Sequence, residues 1–259
     1  MANHNKTLPV MLTFDLEGEF STRIAASMGE KGIDDPESGR FGPTEGYQKI
    51  LKLLAKYHIK ASFQVVGQAA EAYPEALKEI HAAGHEIAIH GYTHRSYQGM
   101  SNEALEQEVI LAIQAVENVI GEKPCGHRSP YWQVNDNVFP ILEAQGIVWN
   151  SDAHTTAEEM GTLAPFKRNG TQVWEIPSSI CADDWGNLLI NKLTPEQLLK
   201  LWQLQAQKVF EQGRHLVMVF HPHVIGRPHH IGILEQFIQY LQSCGYCRFM
   251  TPKAFVKTL

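Results

Sequence analysis

The chain has 259 residues, 44% of them hydrophobic and 19% charged, and a formal net charge of −6. That length suffices for one sizeable core, and the balance of residue types is that of an ordinary globular protein. Lys and Arg do not cluster, so nothing marks a partner nucleic acid or anionic membrane surface, and no apolar run reaches the length of a bilayer span.

The first six residues lead directly into a strand, with no apolar stretch or cleavage site of an export signal, so the expected location is the cytoplasm. Val10-Met11-Leu12-Thr13-Phe14 reads as that strand and runs into Asp15-Leu16-Glu17-Gly18-Glu19. Residues 19–44, with Gly29, Gly32, Pro36, Gly39, Gly42 and Pro43, read as a long loop of the kind that frames a site. A helix is expected over 45–57. A strand follows over 60–66, where Ala61, Phe63 and Val65 alternate with polar neighbours. Pro74 opens a helix that Gly84 ends, and 85–90 is a third strand with Ile87 and Ile89 in alternation.

Ser101 can cap the next helix, whose apolar stripe is Leu105, Val109, Ala112, Ile113, Val116 and Ile120, and Gly121 closes it. A short strand reaches Gly126-His127-Arg128-Ser129-Pro130-Tyr131. A helix over 138–145 and strands over 148–150 and 173–176 come next. Thr194-Pro195-Glu196-Gln197 has the form of a capping box, and the helix it opens carries Leu198, Leu201, Trp202 and Val209 before stopping near Gly213. Residues 216–220 are all apolar, as in a parallel strand covered on both faces, and end in His221-Pro222-His223. A helix over 231–241, a strand over 246–249 and a short terminal helix finish the chain.

This alternation gives about seven or eight strand–helix units, the pattern of an irregular (β/α) barrel in a single domain spanning 1–259, with an open doubly wound sheet as the alternative. No Gly-x-Gly-x-x-Gly follows the first strand and no phosphate-loop lysine is present, which argues against nucleotide binding. Cys125, Cys181, Cys244 and Cys247 read as reduced thiols. The Cys244–Cys247 pair has redox-motif spacing but sits where a helix ends rather than begins, which favours a structural role.

In a barrel, chemistry belongs at the C-terminal ends of the strands. Those ends carry Asp15 and Glu17, then His90 and His94, then Arg128 and Tyr131, then Asp183, Asp184 and Trp185, then His221. Two imidazoles just past a strand end, with a carboxylate, suit a divalent cation, and zinc is the first expectation, with cobalt or nickel as alternatives. Asp15 and Glu17 lie two apart on extended chain and point the same way, so one can bind metal while the other takes a proton from water. His221 can protonate a leaving nitrogen, Arg128 can keep the base carboxylate ionised, and a backbone N–H near Tyr131 can face an oxyanion. Plainer readings make Glu17 and Glu19 solvated loop charges, Arg128 a surface ion-pair partner, Asp184 a turn cap and Trp185 a core residue. His223, His229 and His230 read as neighbours of the site or surface residues rather than ligands.

The ordered set Thr13-Phe14-Asp15-x-Glu17, His90-x-x-x-His94, Arg128-x-Pro130-Tyr131, Asp183-Asp184-Trp185 and a late strand ending in His221 resembles the polysaccharide deacetylases of carbohydrate esterase family 4. Trp174-Glu175-Ile176-Pro177 and Phe220-His221-Pro222-x-x-x-Gly226-Arg227-Pro228-His229 look like one subgroup, which includes peptidoglycan-deacetylase-like proteins, cyclic imide hydrolases and an allantoinase type. The resemblance implies a distorted (β/α) barrel and hydrolysis of a non-peptide amide C–N bond. Carried over, His90 and His94 match metal ligands, Arg128 the arginine that holds the base, and Tyr131 the residue whose N–H meets the oxyanion. Asp184 matches the aspartate that orients the acid and His221 the acid itself; from their strand-end positions, Trp185 and Tyr131 are the expected substrate-binding residues. The family's first motif has two adjacent aspartates, whereas Leu16 here separates Asp15 from Glu17. Order makes Asp15 the base and Glu17 the ligand; the exchanged roles, and Glu19 as a third carboxylate, stay open. The resemblance implies an N-acylated sugar as substrate, a small cyclic imide or ureide as the alternative, a silent binding protein of the same fold as a third reading, and a homo-oligomer.

Overall fold

The computed structural model describes residues 7–21, 36–168 and 170–259; the N-terminal segment of residues 1–6 and most of the expected long loop, residues 22–35, lie outside the described residues. The strands in chain order are β1 (Leu8–Leu16), β2 (Ser62–Val65), β3 (Glu86–Ile89), β4 (Gly126–His127), β5 (Trp149–Asn150), β6 (His154–Thr155), β7 (Phe166–Lys167), β8 (Trp174–Glu175), β9 (Ser178–Ser179), β10 (Leu216–Phe220) and β11 (Cys247–Phe249). The main sheet runs β10-β1-β2-β3-β4-β5-β8-β7, with β11 added beside the start of β1. Every pairing in it is parallel except β7 with β8. Beyond β8 the chain turns back: β9 pairs with β6, and Asp183 bridges to Val219 of β10. The far edge thus returns towards the near one, and the sheet curls into a distorted, partly open barrel.

Side-chain parity along the strands sorts this barrel into an outer and an inner layer. Leu8, Val10, Leu12, Phe14 and Leu16 of β1 join Phe63, Phe220, Trp202 and Phe237 in the large core between the sheet and the outer helices. Met11 belongs instead to a small inner cluster with Ala88, Trp149, Ile176, Val217, Val219 and Phe255. The same parity continues upward. Thr13, Asp15 and Glu17 follow Met11 on β1, His90 follows Ala88 on β3, and His221 follows Val217 and Val219 on β10. The inner layer is therefore apolar through the middle of the barrel and polar at the C-terminal strand ends, where these residues converge. Gly126 is required by this inner packing, since a Cβ there would lie 2.0 Å from the Trp149 ring.

Helices fill the crossovers near the expected places: Tyr47–Lys56, Pro74–Ala82, Asn102–Ile120, Val138–Ala144, Pro195–Glu211, Ile231–Ser243 and Pro252–Val256. Ser101 accepts from the backbone N–H of Ala104, Gly121 takes the left-handed conformation (φ 72°), and Thr194 with Gln197 forms the full capping box. The expected loop is helical in its described later part, with turns over Pro36–Phe41 and Gly42–Gly46. The helix Gly67–Ala72 and the two-residue strands β6, β7 and β9 are additions to the sequence reading. All four cysteines are free thiols. Among the described residues no helix is long and apolar enough to cross a membrane.

Candidate active site and metal centre

The loop that follows β3 is built from the inside. Gly91 takes φ 70° and His94 φ 59°, a left-handed conformation that costs a side-chain-bearing residue about 1 kcal/mol or more. Glu108, on the facing helix, holds it there. Its carboxylate accepts from the backbone N–H of Tyr92 (2.8 Å), the backbone N–H of Thr93 (3.0 Å) and the Thr93 hydroxyl (2.5 Å). His94 thereby turns back beside His90, ring centroids 5.0 Å apart.

His90 Nδ1 lies 2.8 Å from the Arg128 carbonyl, which can only accept, so Nδ1 carries a proton and Nε2 faces the carboxylates. Glu17 Oε1 is 3.5 Å from His90 Nε2, 3.1 Å from His94 Nε2 and 3.6 Å from His221 Nε2. Neither ring nitrogen of His94 makes an aligned hydrogen bond, although both are buried. Glu17, His90 and His94 each offer a ligand atom within 4.8 Å of the others. Ligands about 2.0–2.1 Å from a tetrahedral zinc stand about 3.3 Å apart, so the two Glu17–imidazole separations fit such an ion. Electrostatics agree. Burial alone would raise the Glu17 carboxyl, yet the imidazoles of His94, His221 and His90 facing it hold it well below the usual range. Burial alone would lower His90, yet Asp15 and Glu17 raise it. The field at this point favours positive charge.

Asp15 stands beside this cluster in a different environment. Its Oδ1 accepts from Arg128 Nη1 at 2.7 Å, and its Oδ2 lies 3.8 Å from His90 Nε2. Arg128 is 0% exposed, so it is no surface ion-pair partner. Thr13 Oγ1 accepts from both of its terminal nitrogens at 3.1 Å and donates to the Met218 carbonyl at 2.6 Å. Ser151 accepts from Arg128 Nε and Nη2, each at 3.2 Å, through its carbonyl and hydroxyl. Every edge of the guanidinium is fixed, which aims it at Asp15.

His221, just past β10, also faces Glu17, and Asp15, Glu17 and His221 offer polar atoms within 4.8 Å of one another. Its Nδ1 is 2.7 Å from Asp184 Oδ1, and its backbone N–H donates to both oxygens of the same carboxylate. Asp183 lies 3.6 Å from Nδ1 and accepts from the Gly186 N–H. Burial would lower His221, but Glu17, Asp184 and Asp183 raise it well above the ordinary histidine value. Burial, with the Asp184 charge, pushes Asp183 up to about 7 against the pull of His221.

The remaining expected residues form the rim. Tyr131 is 42% exposed, has φ 58°, and meets His94 edge to face at 4.6 Å. Trp185 is half-buried against the outer core. Glu19 turns away from the cluster: Tyr73 donates to it at 2.5 Å and Arg40 at 3.3 Å. Three further carboxylates support the site. Besides Glu108, Asp152 accepts from the N–H and hydroxyl of Ser129, next to Arg128. Glu175 in turn accepts from the N–H groups of Asp152 and Ala153, from Asn150 Nδ2 and from Arg168 Nε. One signal for Glu108 was readable: it lies three residues after Leu105 and four before Ala112, inside the apolar stripe of its helix.

Residues 39–149 match the family model for polysaccharide deacetylase, a span that holds His90, His94, Arg128 and Tyr131. A Mycobacterium smegmatis structure assigned to the polysaccharide deacetylases superposes with TM-score 0.86 at 26% identity, covering 100% of this chain and 92% of that one. Residues 39–149 thus carry a polysaccharide deacetylase domain, set in a fold shared with that structure over this chain's whole length. This deacetylase-like chain is also similar to the peptidoglycan deacetylase of Helicobacter pylori, 24% identical over 253 residues, 86% of each chain. The Puue allantoinase shares the fold, with TM-score 0.83 at 20% identity over 97% of this chain and 90% of that one.

Proposed function

We propose that the chain hydrolyses the amide C–N bond of an N-acylated amino sugar, with a divalent cation, zinc first, held by Glu17, His90 and His94. The observation that supports this is the placement of two fixed proton-transfer pairs, Asp15–Arg128 and His221–Asp184, against those three residues, with Asp15 3.8 Å from His90 and His221 3.6 Å from Glu17. When bound, the ion would polarise the substrate carbonyl and lower the pKa of the attacking water. Asp15, aimed by Arg128, takes the proton from that water through its second oxygen. His221, charged at neutral pH, gives its Nε2 proton to the leaving nitrogen, and Asp184 keeps the ring oriented as it does so. The turn at Tyr131 brings its backbone and ring over His94, where the N–H meets the developing oxyanion and the ring, with Trp185, walls the substrate.

The deciding experiment is acetate release from chitin oligomers and peptidoglycan fragments, with chelator, zinc or cobalt, beside ring opening of succinimide, hydantoin and allantoin. Metal-dependent acetate release is expected. A folded sample that opens the rings and releases no acetate would move the substrate to cyclic amides, and one inert on both panels would remove the hydrolase reading.

A further inference from the structure

A cavity of about 250 Å³ is lined by Ser38, Leu189, His223, Arg227, His229 and His230. The His223 ring is 5.7 Å from the His221 ring, so the cavity adjoins the catalytic acid. Arg227 is half-buried in its wall and its orientation is fixed. Its Nε donates to the His223 carbonyl at 2.9 Å, its Nη2 to the Ser38 hydroxyl at 2.7 Å, and its plane lies over Phe41 at 4.8 Å. Among the described residues no carboxylate contacts this guanidinium, and its Nη1 donates to none of them. That differs from Arg40, which is paired with Glu19 and Glu37, and from Arg128, which is paired with Asp15. Burial, with His229 and Arg227 nearby, lowers His230 against the pull of the Val224 carbonyl and Asp184, so it stands in the wall as a neutral ring. The cavity thus offers one pre-oriented guanidinium, with no carboxylate partner among the described residues and flanked by imidazoles, the composition that recognises an oxyanion.

We propose that this cavity is a carboxylate subsite of the active centre, with Arg227 as its specificity-determining residue. The inference rests on the hydrolase reading above in one respect. His221 protonates the leaving nitrogen, so a group seated beside it belongs to the amine half of the substrate and not to the acyl half. The preferred substrate is therefore an N-acylated amine whose amine half carries a carboxylate. An amino sugar bearing a carboxyalkyl ether and an N-acylated amino acid are the two chemical sources.

The test uses N-acetylmuramic acid and N-acetylalanine, each beside its neutral methyl amide. Binding to zinc-loaded Asp15→Asn protein is read by calorimetry, and kcat/KM is read on the unsubstituted enzyme. The carboxylate member of at least one pair is expected to bind about tenfold or more tighter than its amide, and Arg227→Gln is expected to erase that preference. The pair that shows it identifies the source. Because Arg227→Gln also releases Ser38 and Phe41, Leu189→Glu supplies an independent arm: it leaves those contacts in place and sets a like charge against the ligand. Equal binding within both pairs, or a preference that survives both substitutions, overturns the proposal. A preference in binding without turnover of any compound would leave the subsite standing and remove the hydrolase reading.

Discussion

The two ends of the barrel carry the same residue types and treat them oppositely. Glu86 opens β3 and His215 immediately precedes β10; His90 and His221 follow the same two strands. At the lower end Glu86 accepts from Trp149 Nε1 at 2.7 Å and from the Lys253 N–H at 3.0 Å. His215 rests its Nε2 on the Pro177 carbonyl at 2.8 Å. Burial pushes Glu86 up and His215 down, so both move towards their neutral forms. At the upper end Glu17 is driven down and His221 up, so both stay charged. Charge at a strand end therefore says little by itself. The upper end differs because its acids are faced by imidazoles and an arginine rather than by neutral donors, and such a set is completed by a cation and a substrate.

The largest expected effect tests whether the upper end is that kind of site. Glu17→Gln, His90→Ala and His94→Ala should each abolish stoichiometric zinc and lower kcat/KM by about a thousandfold or more, because ligand loss removes the ion and its chemistry together. Metal analysis beside acetate release reads both at once. Full zinc retention in Glu17→Gln would make Glu17 merely a buried acid like Glu86.

Asp15→Asn comes next. It should keep the metal and lower kcat by about 10²–10⁴-fold, the usual contribution of a positioned base. Loss of metal in this variant would exchange the roles of Asp15 and Glu17. Smaller again is Glu108→Gln. Its carboxylate touches no ligand atom, only the backbone and hydroxyl that hold the His94 turn. A weakened support of this kind should loosen metal affinity by about 10–100-fold while kcat at saturating metal stays near its original value. An unchanged affinity would show that the His94 conformation is held by the rest of the loop.

Where the sequence was legible, a period or a cap carried the signal. The apolar runs of β1, β3 and β10, the Ser101 and Thr194 caps and the stop at Gly121 all fall where pattern places them. Strands β6, β7 and β9 are two residues long, too short for any period to register, and exist because the barrel's far side returns towards β10. The expected loop before residue 45 turned helical because Gly46 and Gly226 let two backbone segments meet: a Cβ on Gly46 would sit 2.1 Å from the Pro222 carbonyl, and one on Gly226 would sit 2.7 Å from the Gly46 Cα. The site residues could be nominated from strand ends, since parity aims them inward. Their partners could not. Nothing near Arg128 in sequence reports Thr13 or Ser151, and although Glu108 stands out as an acid in an apolar stripe, nothing ties it to His94, because those contacts are made by tertiary packing.

The smallest effect concerns the lower end and is read as stability against pH. The folded pKa of His215 is lowered to about 4, below its ordinary 6.5, because the ring is buried with Nδ1 facing no acceptor. The unfolded chain therefore binds a proton that the folded chain refuses. The resulting stability is fully present above about pH 6.5 and is lost as pH falls towards 4. Over the first part of that window, from pH 7 to 5.5, the loss amounts to about 1 kcal/mol. His215→Gln keeps a donor for the Pro177 carbonyl and removes the titration, so urea midpoints at the two pH values should lie closer together than in the unsubstituted chain. His221 has the opposite sign: its folded pKa is raised, so its contribution is present below 6.5 and fades as pH climbs through the raised value. An unaltered acid-side slope in His215→Gln would mean that this ring takes up its proton in the folded state after all, and the contrast between the two ends of β10 would then come from the upper end alone.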